Sequence, residues 1–168
     1  MTLYNEQGRY LIGGKIDLAT RAGNPIANDR RPETNPVSLK EAEKIIREAH
    51  KSAITRSLTS KYNCMGLIFA SRRTWVDTDQ LELILNDDDY TKLPSLNNVV
   101  EGDVVIYKDN DGRVTHIGLV SDVKPNLTNG SRDITVLSQW GRDGEYFHRI
   151  DDVNFRLGIP AEAWTDRK

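Results

Sequence analysis

The chain has 168 residues, 38% apolar and 29% charged, with 23 basic against 25 acidic residues and a formal net charge of −2. That size suits one domain able to bury its own core, and the near-neutral balance excludes bulk electrostatic attraction to nucleic acid or to an anionic membrane surface. A single cysteine excludes an internal disulfide framework and any multi-cysteine metal site, and no apolar run approaches membrane-spanning length.

Residues 1–37 read as a loosely structured arm on a single domain spanning 1–168. Gly13-Gly14, Gly23, Pro25, Pro32 and Pro36 punctuate it, and Tyr10-Leu11-Ile12 is its one strand-like piece. Met1 to Gln7 show neither a basic nor an apolar signal region, so the expectation is a cytoplasmic protein, or one exported by a route not visible in the sequence. Ser38-Leu39-Lys40-Glu41 fits a capping box, and Leu39, Ala42, Ile45, Ile46, Ala49 and Ala53 continue it as a helical stripe over 39–55. His50 lies off that stripe and reads as a surface residue. Asn63 is a good N-cap for a second helix opened by Cys64 and running to about Arg72. Asp77-Thr78-Asp79-Gln80 starts a third helix over 78–86, ended by a solvated acidic run, Asn86-Asp87-Asp88-Asp89.

After Pro94 the pattern turns to β. Val104 to Tyr107 and Val114 to Val120 flank Asp109-Asn110-Asp111-Gly112, a hairpin signal. A calcium loop starting at Asp109 would end on Val120, which cannot coordinate, so calcium is rejected there. A third strand is expected over Ile134 to Gln139, with shorter β pieces around Tyr146-Phe147-His148 and Phe155-Arg156-Leu157. Helices followed by an antiparallel meander make an α+β plan.

Cys64 is either a buried small hydrophobe or a nucleophile. At a helix N-terminus, unpaired N–H groups and the macrodipole favour the thiolate, which is the reactive form. A cysteine nucleophile needs a base. Of His50, His116 and His148, only His116 sits within a firmly expected strand. Alternation places it on the face of Val114, Gly118 and Val120, with Thr115, Ile117 and Leu119 turned away.

Asn63-Cys64-Met65-Gly66-Leu67, Glu101-Gly102-Asp103-Val104-Val105 and Thr115-His116-Ile117-Gly118-Leu119-Val120 resemble the motifs of the NlpC-type bacterial branch of the papain-like cysteine peptidases. Ser138-Gln139-Trp140-Gly141, followed by Gly144-Glu145-Tyr146, is similar to the Asn-Ser-Trp-Gly run of papain itself. The resemblance covers roughly residues 60–150. It implies a papain-like fold with N-terminal helices packed on an antiparallel sheet. It further implies Cys64 as nucleophile, His116 as general base and acid, and Ser138 as the group orienting the His116 ring under the shield of Trp140. Gln139 could orient the ring instead; the two adjacent residues face opposite ways, and the Trp-Gly alignment favours Ser138. Three positions depart from the pattern: serine for asparagine at 138, Met65 where relatives carry a small or polar residue, and Leu58 where papain has its oxyanion glutamine. An oxyanion donor would then come from the Cys64 backbone N–H, with Asn63 and Tyr62 either side-chain helpers or simply a cap and a packing residue. His148 is read as a surface or packing residue, with a role as the polar third member as its alternative.

The activity implied is a cysteine hydrolase cutting a peptide or amide bond through a thioester, without metal or cofactor, on a peptide, a peptidoglycan fragment or a protein. An acyltransferase or deamidase on the same dyad, and a catalytically retired binding module, are the alternatives. Oligomeric state is not legible.

Overall fold

The computed structural model describes residues 14–168, and the strand-like piece expected at Tyr10–Ile12 lies outside them. The architecture is mixed α+β. Its main sheet has seven strands in the order β2-β8-β7-β6-β5-β9-β4. These are β2 (Ile54–Ser57), β4 (Thr91–Lys92), β5 (Val104–Lys108), β6 (Val114–Pro125), β7 (Arg132–Gln139), β8 (Glu145–Arg149) and β9 (Ile159–Thr165). All the pairings are antiparallel. A separate two-stranded ribbon joins β1 (Asn28–Asp29) to β3 (Trp75–Val76). The helices are α1 (Pro36–Ala49), α2 (Cys64–Phe69) and α3 (Leu81–Asp87). None of the helices described is long and apolar enough to cross a membrane.

The expected meander is present as β5 to β8, tied by the Asp109 turn. There the Asp109 carboxylate accepts the N–H groups of Asp111 and Arg113, both at 2.9 Å. Several expectations are corrected. The first helix starts earlier, at Pro36, with Asn35 as cap accepting from Val37 N–H at 2.8 Å, because proline suits the first helical position. It stops at Ala49, where Asp152 draws the chain outward by bonding His50 Nδ1 at 2.8 Å and the Ser52 N–H at 3.0 Å. The following residues become edge strand β2. Phe155–Leu157 is a 3-10 turn, not a strand; Asn154 caps it and Gly158 leaves it at φ 85°. β9 was not expected at all.

The sheet divides the core. On one face Cys64, Met65, Leu81, Ile84 and Leu85 pack on Val104, Ile106 and Ile117, with Ile26 of the N-terminal segment beside them. On the other face Val105, Tyr107, Val120 and Val136 form one cluster, and Ile46 of α1 joins Trp140 and Tyr146 in another.

The register of β6 decides which side chain meets which face. Tyr107 pairs with His116 and Lys108 with Val114, so Thr115 is an extra residue in the ladder; a second irregularity falls between Val120 and Asp122. Such a bulge reverses side-chain parity. Val114 consequently packs with Cys64's cluster and not beside His116, correcting simple alternation. Gly118 fixes the stretch between the bulges. A Cβ there would lie 2.3 Å from Val136 Cγ1 and 3.3 Å from Ser138 Cβ, so only glycine lets β6 and β7 approach as they do.

Candidate functional site

Asn63 caps α2 as the sequence predicts. Its Oδ1 accepts from Gly66 N–H at 2.9 Å and Val76 N–H at 3.1 Å, while its Nδ2 donates to Val76 O at 2.7 Å. The amide therefore welds α2 to β3 and is spent as a cap. Gly66 allows the same close approach, since a Cβ there would meet the Thr74 carbonyl oxygen at 1.9 Å. Cys64 stands first in α2 and is buried. Burial pushes its thiol up; the backbone N–H groups of Ile117 and Met65 and its own oppose the rise without cancelling it. Met65 is wholly buried in the core.

His116 is 1% exposed and lies on the other face of the sheet. Its ring sits 5.3 Å from that of Tyr107, centroid to centroid. The neighbouring residue on β6, Ile117, is the one that packs with Cys64. Adjacent strand residues point to opposite faces, so the structure does not bring His116 to the sulfur. Burial, with the neighbouring His148 adding to it, pushes His116 down to about 3. Its Nε2 has no hydrogen-bond partner among the described residues.

Ser138 and Trp140 are on the His116 face, but the ring they hold belongs to His148. His148 Nδ1 lies 2.7 Å from the Arg149 carbonyl, which fixes the proton on that nitrogen and leaves Nε2 as an acceptor. Ser138 Oγ donates to that Nε2 at 2.7 Å and in turn accepts from the Trp140 indole N–H at 3.1 Å. Ser138 and His148 are fully buried, and burial pushes His148 down to about 4. The expected shielding by Trp140 is thus present around a different histidine. His50, expected at the surface, is 15% exposed in its side chain, with its ring edge-on to Trp140 at 5.0 Å.

Gln139 faces the other way, toward the Cys64 side. Its Nε2 donates to Thr59 O at 2.7 Å and Gly141 O at 3.1 Å, and its Oε1 is unpartnered among the described residues. Tyr62, considered as an oxyanion helper, donates its hydroxyl to Glu145. Glu145 is fully buried and also holds Arg72, at 2.9 and 3.0 Å, and Arg56 at 3.1 Å. Sequence reasoning missed this carboxylate. Its partners, Tyr62, Arg72 and Arg56, are far from it in the chain, and no local signal marks it. Among the described residues no group of three or more His, Cys, Asp or Glu could hold a metal ion.

The four motifs thus resolve into two separate constellations. Cys64, Tyr62 and Gln139 lie on the α2 face; His116, Ser138, Trp140 and His148 lie on the α1 face. Comparison with known protein families, with curated proteins and with solved structures gives no match.

Proposed function

We propose that this chain is a binding domain on an α+β scaffold of papain-like pattern, in which the cysteine and histidine of the hydrolase pattern are core residues and not a dyad. What carries this reading is the parity of β6: Ile117 meets Cys64, and His116 turns away onto Tyr107. Thioester chemistry needs a base within about 3–4 Å of the sulfur, in the free enzyme or on closing around substrate. Here the sheet itself stands between the two groups. The opposed shifts of thiol and imidazole support the same reading, since burial holds Cys64 protonated and His116 neutral.

Iodoacetamide labelling tests it. The folded protein is expected to label slowly at pH 6.5 and pH 8, and at the rate of a free thiol only once unfolded. Rapid labelling of folded protein well below the free-thiol pKa of about 8.5, lost in His116→Ala, would show a working dyad and end the proposal.

A thiol-dependent hydrolase, or an acyltransferase or deamidase, is the second reading. The observation that favours it is the convergence of backbone N–H groups from α2 and Ile117 on the sulfur, donors of the kind that hold a thiolate or an oxyanion. It requires a base other than His116. Amide-bond hydrolysis of a peptide or peptidoglycan fragment, lost in Cys64→Ala and indifferent to His116→Ala, would establish it.

A further inference from the structure

The face that carries Cys64 also holds a cavity of about 450 Å³ between α3 and strands β5, β6 and β9. Leu81, Leu85, Ile106, Val114 and the Trp164 ring give it apolar walls. The register explains why those side chains meet: Trp164 lies opposite Val104 and Glu162 opposite Ile106, so β9 turns both toward α3.

The charges around this cavity are unevenly satisfied. Glu162 takes Lys108 at 2.5 Å, Lys92 at 2.9 Å and the Trp164 indole N–H at 3.2 Å. Those contacts occupy the carboxylate and tether Lys108, the one cation among the described residues of the wall. Asp79 and Glu82 stand exposed at the α3 side of the same cavity. Among the described residues lining the cavity, the ion pairs are those of Glu162, and the Asp79 carboxylate receives the amide of Gln80, at 3.2 Å. A chamber of this volume with a partly apolar wall is in the range that takes a small ligand. Glu162 with its two lysines carries a net positive charge of one, against two carboxylates, Asp79 and Glu82, that have no ion pair among the described residues; the balance is negative, and with an indole in the wall it favours a cation.

We propose that this cavity binds an organic cation with an apolar stem, an alkylammonium or alkylguanidinium, its stem lying against Trp164 and Leu85 and its charge directed to Glu82 and Asp79. A free amine and the side chain of a lysine or arginine in a peptide offer the same chemistry. The proposal rests on the reading of the chain as a binding domain, and it supplies that reading with a ligand class.

Calorimetric titration of the full chain with hexylammonium, hexanol and hexanoate tests it. Hexylammonium is expected to saturate one site, with hexanol about tenfold weaker and hexanoate weaker still. The double variant Asp79→Asn, Glu82→Gln, at exposed positions whose one side-chain hydrogen bond among the described residues is that of Gln80 to Asp79, should reduce the preference for cation over alcohol to about twofold or less. Salt raised from about 50 mM to about 500 mM should weaken only the cation. An Nα-acetyl-lysine amide binding more tightly than hexylammonium marks a peptide as the source, and weaker binding marks a free amine. Equal affinity for cation and alcohol, a preference for hexanoate, or no saturable binding overturns the proposal. These outcomes are separable from those of the thiol experiment: a reactive Cys64 in a protein that still selects the cation removes the binding-domain reading and leaves the site.

Discussion

Lowering the pH from 7.5 to 5 should destabilise this fold through two histidines before any carboxylate contributes. His116 and His148 are pushed down from 6.5 to about 3 and about 4, in each case by burial first. Both are neutral in the fold, and both take up protons when the chain unfolds. The unfolded state therefore binds more protons below about pH 6.5, and stability falls as pH falls. At pH 5 each histidine accounts for about 2 kcal/mol, or about 4 kcal/mol together, with a limiting slope of about 2.7 kcal/mol per pH unit. That is a large part of the stability of an ordinary domain, about 5–15 kcal/mol. Carboxylates enter lower. Glu162, which its partial burial would raise, is brought down to about 2 by Lys108 and Lys92, so its contribution is lost only below its unfolded value of about 4.5. Urea unfolding at pH 7.5, 6.5, 5.75 and 5 reads the slope directly. His116→Leu should halve it while leaving stability at pH 7.5 the same or higher, because the unpartnered Nε2 is removed. Stability flat within about 1 kcal/mol across that range, or an unchanged slope in the variant, would refute the burial of these rings.

Other substitutions probe the contacts that set the two faces. Gly118→Ala should cost about 1–3 kcal/mol in urea unfolding, because its methyl would lie 2.3 Å from Val136 Cγ1 and the strands must part. Asn63→Ala should cost about 2 kcal/mol, the upper part of the range for a cap, since three hydrogen bonds and the tie to Val76 go with it. Tyr62→Phe leaves one acceptor on buried Glu145 unfilled and should cost about 1–2 kcal/mol, measured the same way.

Local signals were legible where a side chain bonds its own neighbourhood. The Asn63 cap, the Asp109 turn and the β-rich runs of β5 and β7 need only adjacent residues, and the structure has each where the sequence puts it. Elements stabilised from afar were not legible. β9, Ile159-Pro160-Ala161-Glu162-Ala163-Trp164-Thr165, has little β-propensity; it is a strand because β5 and β4 flank it. The first two residues of β2, Ile54 and Thr55, read as the end of a helix, and its partner β8 lies about ninety residues further on. The same limit applies to the candidate site. The residues of the hydrolase pattern were correctly found to lie on a helix start and on successive strands, but which face each side chain takes depends on a bulge at Thr115 that carries no local sequence signal. Thr115 is held there by distant groups, its hydroxyl donating to Leu157 O at 2.8 Å while Gly158 packs against it.

The parity of β6 is enforced from both sides. Turning His116 to the sulfur would swing Ile117 and Leu119 off the α2 face, where they pack with Val104, Ile106 and Cys64. It would also take Gly118 out of the one position where a Cβ cannot be accommodated, replacing it with a branched side chain against Val136 and Ser138. Burial of two large aliphatic groups, about 1.5–3 kcal/mol each, and an overpacking cost of similar size oppose that change together. Ser138 adds to the barrier, because its hydroxyl is already committed between the Trp140 indole and His148 and cannot orient a second ring without breaking that pair. An imidazole placed by such a register is a core residue.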